Sequence, residues 1–126
     1  MNKKKILYID DEELNVKLFA HNFSRNFDVV TGLSGIDGLA LLEKNPDIKV
    51  VISDMKMPYM HGLEFIAIAS EKYREKKYFI LTGFDITEEI QHALDSKLIV
   101  KYFSKPLNVK EIETAINEVL LYIQTF

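Results

Sequence analysis

The chain has 126 residues, room for one domain and one core, with 48% apolar and 28% charged residues as in ordinary globular proteins. A net charge of −3 excludes the basic footprint of a general nucleic-acid binder, and the absence of cysteine excludes disulfides and thiolate chemistry, making a reducing cytoplasm the simplest home. Behind "MNKKK" the apolar run "ILYI" stops at "DDEE", too soon for a signal core, and no segment approaches the roughly 20 apolar residues of a membrane helix.

The first predicted strand is "ILYI" (6–9), which runs into Asp10 and Asp11. Val16, Phe19, Ala20 and Phe23 then recur at helical steps and form one apolar stripe. "FDVVT" (27–31) reads as the second strand, and Ser34 with Asp37 has the spacing of an N-cap and its N3 acid. The third strand, "KVVIS" (49–53), stops at Asp54, and "MKMPYMHG" turns the chain away from it. "YFILT" (78–82) ends on Thr82 and Gly83; Asp85 with Glu88 opens a helix whose stripe is Ile86, Ile90, Ala93 and Leu94. The last strand, "IVKYF" (99–103), leads to Lys105 and Pro106. Asn108 with Glu111 then starts a helix with Val109, Ile112, Ile116, Val119 and Ile123 on one side.

The first, third and fourth runs are almost continuously apolar, which predicts parallel strands covered on both faces. No linker, repeat or change in composition divides the chain, so residues 1–126 read as one domain. Alternation of this kind implies a parallel sheet with helices on both faces, joined by right-handed crossovers. Function in such sheets collects at the carboxyl ends of the strands.

Those ends carry Asp10, Asp11, Asp54, Thr82 and Lys105. Carboxylates brought close together repel, so they raise a pKa, share a proton or bind a cation. An oxygen-only site without His or Cys favours Mg²⁺, with Mn²⁺ as the alternative. An aspartate in such a site can act as a nucleophile and form an acyl phosphate, provided cations surround the transferring group. Lys105 would be one such cation, Thr82 a hydroxyl donor to a phosphoryl oxygen, and Gly83 a source of room.

With these motifs in order, "DD" after strand one, "D-M-K-M-P-…-G" after strand three, Thr-Gly after strand four and Lys-Pro after strand five, the chain resembles the receiver domain of bacterial two-component response regulators. The resemblance implies a doubly wound (βα)5 fold of the flavodoxin kind, with five parallel strands in the order 2-1-3-4-5. It implies Asp54 as the phosphoacceptor and a Mg²⁺ site made by Asp10, Asp11, Asp54 and the backbone carbonyl of Lys56. Lys105 and Thr82 would contact the phosphoryl group, Thr82 and Tyr102 would form the switch, and Lys105–Pro106 would be a cis peptide. A sensor histidine kinase or histidine phosphotransfer protein is the implied donor. A downstream protein or C-terminal output domain is the implied target, reached through helix four, strand five and helix five, with a homodimer on phosphorylation as a further partner. No substrate turnover, nucleic-acid binding or membrane contact is implied.

Other features have plainer readings. His21, His61 and His92 stand singly, and Met55, Met57 and Met60 suit adaptable packing around a loop. Lys97 and Lys101 occupy a stretch where many receivers carry a Gly-Ala-Asp-type turn. Phe84 is expected beside the path of attacking water, where its bulk would slow loss of the phosphate. Two competing functions are a receiver-like module that is never phosphorylated and a Mg²⁺-dependent phosphohydrolase of the haloacid-dehalogenase kind. The second normally has an acid two residues after its nucleophile, where this chain has Lys56.

Overall fold

A computed structural model describes residues 3–83 and 86–125, the last three of these by backbone alone. Strands and helices alternate along the described chain: β1 (Lys4–Ile9), α1 (Glu13–Phe23), β2 (Phe27–Gly32), α2 (Gly35–Lys44), β3 (Val50–Asp54), α3 (Gly62–Lys72), β4 (Lys77–Thr82), α4 (Glu88–Asp95), β5 (Lys101–Ser104) and α5 (Val109–Thr125). The strands form one parallel sheet in the order β2-β1-β3-β4-β5, the doubly wound architecture expected from the alternation. The three most apolar runs are its three inner strands, and the more polar β2 and β5 are its edges.

Side-chain alternation along these strands feeds two cores. On one face Ile6, Tyr8, Ile52 and Phe79 meet Phe19 and Phe23 of α1 and Ile112 and Ile116 of α5. On the other, Leu7, Ile9, Val51 and Ile80 meet Leu42 of α2, Phe65 and Ile66 of α3, and Ile90 and Ala93 of α4. Every residue of β3 is buried, Asp54 included. Burial of Val50, Val51 and Ile52 contributes roughly 1.5–3 kcal/mol each. That burial, together with the Lys105 ammonium 3.0 Å from Asp54 Oδ1, offsets the desolvation of the carboxylate, so the strand can present an acid at its tip.

Local signals explain most element boundaries. Ser34 accepts from the Asp37 amide and Asn108 from the Glu111 amide, as their spacing predicts. Helix α4 is capped by Thr87, whose hydroxyl accepts from the Ile90 amide; the expected cap, Asp85, lies outside the described residues. Ile86 precedes the helix and is exposed, so the buried stripe reduces to Ile90 and Ala93, with Leu94 half-buried. Strand β5 begins at Lys101, two residues later than the apolar run suggests, because the preceding residues form the exit turn of α4. In that turn Leu98 N–H donates to the Ala93 carbonyl and Lys97 N–H to the Leu94 carbonyl, with Lys97 at φ 63°.

Candidate functional site

Parallel register brings the strand ends level. Ile9 lies beside Ser53, Asp54 beside Leu81, and Thr82 beside Ser104. Two backbone bonds then lock the loops: Met55 N–H donates to the Leu81 carbonyl, and Lys105 N–H donates to the Thr82 carbonyl. The result is a cleft of about 570 Å³ lined by Asp11, Asp54, Lys56, Thr82, Gly83 and Lys105, among others. Asp10 lies fully buried at its base. A larger groove of about 910 Å³ lies at the opposite edge, beside Arg74, Lys77 and Lys97. Its lining holds no carboxylate cluster, so the chemistry directs attention to the smaller cleft.

Asp10, Asp11 and Asp54 each offer an oxygen within 4.8 Å of the others. Lys105 Nζ lies 3.0 Å from Asp54 Oδ1 and 4.0 Å from Asp10 Oδ2. Asp10 is further held by the Glu12 amide, which donates to Oδ1 at 3.0 Å, and by the Tyr8 hydroxyl, which donates to Oδ2 at 2.7 Å. Burial pushes the Asp54 carboxyl above its ordinary range, opposed by the Lys105 hydrogen bond and reinforced by the charges of Asp10 and Asp11. Tyr8 is pushed upward first by burial and then by its bond to Asp10, so its phenol remains a donor. The donor set is oxygen-only and partly open, which fits Mg²⁺.

The loop after Asp54 is shaped by close packing. Gly62 N–H donates to the Met55 carbonyl, and a Cβ on Gly62 would collide with the Asp54 carbonyl oxygen. Tyr59, at φ 67°, is fully exposed in a tight turn closed by Met60 N–H on the Pro58 carbonyl. Thr82 is buried, and Tyr102 is half-buried against the core on the α3 and α4 side. The Lys105–Pro106 peptide is cis. Phe84 lies outside the described residues. A Cβ added at Gly83 would lie 3.7 Å from the Lys105 side chain, an ordinary contact distance.

The roles of two residues were not foreseen from sequence, although His61 was noted as standing singly. Tyr8 sits in a run that strand propensity already accounts for, and only its position two residues before Asp10 signals a shared face. His61 caps α3: its Nδ1 accepts from the Glu64 amide while Glu64 Oε1 accepts from the His61 amide. Its Nε2 also lies 3.6 Å from Glu89 Oε2 on α4. The His-x-x-Glu spacing was the available signal, since it matches the other cap-and-acid pairs.

Comparison with known proteins agrees with this geometry. The family described as response regulator receiver domain matches residues 6–117. A chemotaxis protein CheY homolog of Campylobacter jejuni is 29% identical over 120 residues, covering 92% of both chains. The alkaline phosphatase synthesis transcriptional regulatory protein PhoP of Bacillus subtilis is 31% identical over 123 residues, covering 93% of this chain and 48% of its own length. A solved receiver domain protein from Clostridium thermocellum superimposes with a TM-score of 0.90 at 28% identity, covering 96% of this chain and 97% of its own.

Proposed function

The chain belongs to the response regulator receiver domain family, and from that premise we propose that it accepts a phosphoryl group on Asp54 and changes a protein-binding face in response. The observation that carries this reading is the pairing of Lys105 Nζ with Asp54 Oδ1 at 3.0 Å inside a cluster of three acids. Asp54 is the nucleophile: a carboxylate oxygen attacks phosphorus, the bond from phosphorus to the donor histidine nitrogen breaks, and an acyl phosphate forms. Raised basicity from burial suits that role. Asp10, Asp11, Asp54 and the Lys56 carbonyl would hold Mg²⁺, which when bound supplies positive charge to the phosphoryl oxygens. Lys105 supplies a second positive charge from the protein itself.

Phosphorylation adds about −1.5 to −2 charge units and strong acceptor oxygens. Thr82 moves to donate to one of them, Tyr102 changes rotamer on β5, and the face of α4, β5 and α5 shifts its population. The half-buried setting of Tyr102 supports this, because a ring between core and solvent has two environments to choose from. Residues 1–126 act as one receiver unit in the cytoplasm, alone or at the head of a longer regulator. The donor is a histidine kinase or phosphotransfer protein, the target is a protein surface, and no independent substrate is turned over.

Incubation with acetyl phosphate and Mg²⁺, read by intact mass, tests the assignment. One phosphate is expected on the wild type and none on Asp54→Ala. A wild type that gains no mass with Mg²⁺ present would overturn it.

A further inference from the structure

We propose that Tyr8 is a positioning residue of this site: its hydroxyl holds the buried Asp10 carboxylate for the cation and leaves Lys105 to Asp54. The inference rests on the reading of Asp10, Asp11 and Asp54 as a Mg²⁺ site. Asp10 is fully buried, so its charge must be met by nearby donors. The Glu12 amide serves Oδ1 at 3.0 Å and the Tyr8 hydroxyl serves Oδ2 at 2.7 Å. Lys105 therefore stands off at 4.0 Å from Oδ2 and pairs at 3.0 Å with Asp54.

The ammonium lies between two acids, and the phenol decides which of them holds it. Without the hydroxyl, Lys105 is the nearest replacement donor for Asp10, and a shift of about 1 Å brings it into hydrogen-bond range. A lysine drawn onto Asp10 competes with the cation for that carboxylate and abandons Asp54. The Tyr8 ring cannot follow Asp10 elsewhere, because it stacks on Phe19 with centroids 4.0 Å apart and planes 3° from parallel. The donor is thus fixed by the core of the α1 face and aimed at a metal ligand, as outer-shell partners of metal sites commonly are.

Calorimetric titration of Mg²⁺ at fixed pH tests this with the wild type, Tyr8→Phe, Lys105→Met and the double variant. Tyr8→Phe keeps the stacked ring and removes only the hydroxyl. It is expected to weaken Mg²⁺ binding about tenfold, but less than about threefold in the Lys105→Met background, where the competing ammonium is gone. An unchanged affinity in Tyr8→Phe would overturn the proposal, as would an equal loss in both backgrounds. Should Tyr8→Phe fail to fold, NMR of ¹³C-tyrosine in the wild type gives an independent reading. The Tyr8 ring signal is expected to shift along the Mg²⁺ binding curve, and a signal unmoved at saturation would also overturn the idea. A wild type that binds no Mg²⁺ at millimolar concentration would instead overturn the site assignment itself.

Discussion

Lys97 adopts φ 63° at the position just past the α4 cap, where two reverse-turn hydrogen bonds close the helix. Glycine is favoured there because a Cβ in the left-handed region clashes with its own backbone. The lysine is exposed, so no buried contact compensates. Lys97→Gly is expected to stabilise the fold by about 0.5–1 kcal/mol, read as a higher urea midpoint with an unchanged slope. Asp54 gives a residue-scale prediction of a different kind. Its pKa is raised by folding, so below the unfolded value of about 3.9 both states are protonated and nothing is lost. As pH rises from there through the folded value, the unfolded chain releases its proton first and stability falls. Asp54→Asn, measured in chelator, should therefore exceed the wild type in stability at pH 7 and match it near pH 3.5. An advantage independent of pH would contradict the burial argument.

Elements transmit these demands through their ends. Helix α3 begins at a glycine because its first turn lies directly on the carbonyl of Asp54. The obstacle is backbone at the tip of a fully buried strand, so it cannot swing aside. Gly62→Ala is expected to cost about 1–3 kcal/mol and to lower the rate of phosphorylation by acetyl phosphate, since relief requires moving Asp54 or the loop after it. Retained stability together with retained rate would show that the loop yields freely. The same scale shows what could be read from residues alone. Apolar continuity marked β1, β3 and β4 as covered on both faces, and side-chain spacing located the Ser34 and Asn108 caps, because these signals are local. The β5 start was missed because Ile99 is buried by the exit turn of α4 and not by a ladder, a distinction made only by tertiary packing. The acids and Lys105 were legible because each lies at a strand end or just past one. The Tyr8 hydroxyl was not, since its partner is fixed by side-chain direction inside a core.

At the scale of the molecule, every described helix runs back from the edge where the strands end, so helix N-termini and their first-turn acids gather around the site. Glu13, Asp37, Glu64, Glu88, Glu89 and Glu111 occupy such positions. Each is favourable to its own helix dipole, and with Asp10, Asp11 and Asp54 they collect acids at one edge, where Lys56 and Lys105 offset part of the charge. A divalent cation held there, as proposed, would relieve repulsion among these acids and would bind the folded state alone. At a hundredfold excess over its Kd, Mg²⁺ is expected to add about 2.7 kcal/mol of stability. The thermal midpoint should rise with Mg²⁺, fall back on addition of chelator, and respond weakly in Asp10→Ala.

The sheet order also has a consequence for how the molecule can be divided. Asp10 and Asp11 follow the first strand, Asp54 the third, and Lys105 the last, which pairs only with β4 at the sheet's edge. A chain severed after β4 retains all three acids yet has lost the ammonium that faces two of them. On the proposed reading, a break at β5 would part the acids that would hold the cation from the ammonium that would meet the phosphoryl group, and would also strip Phe103, Ile112 and Ile116 from one of the two cores.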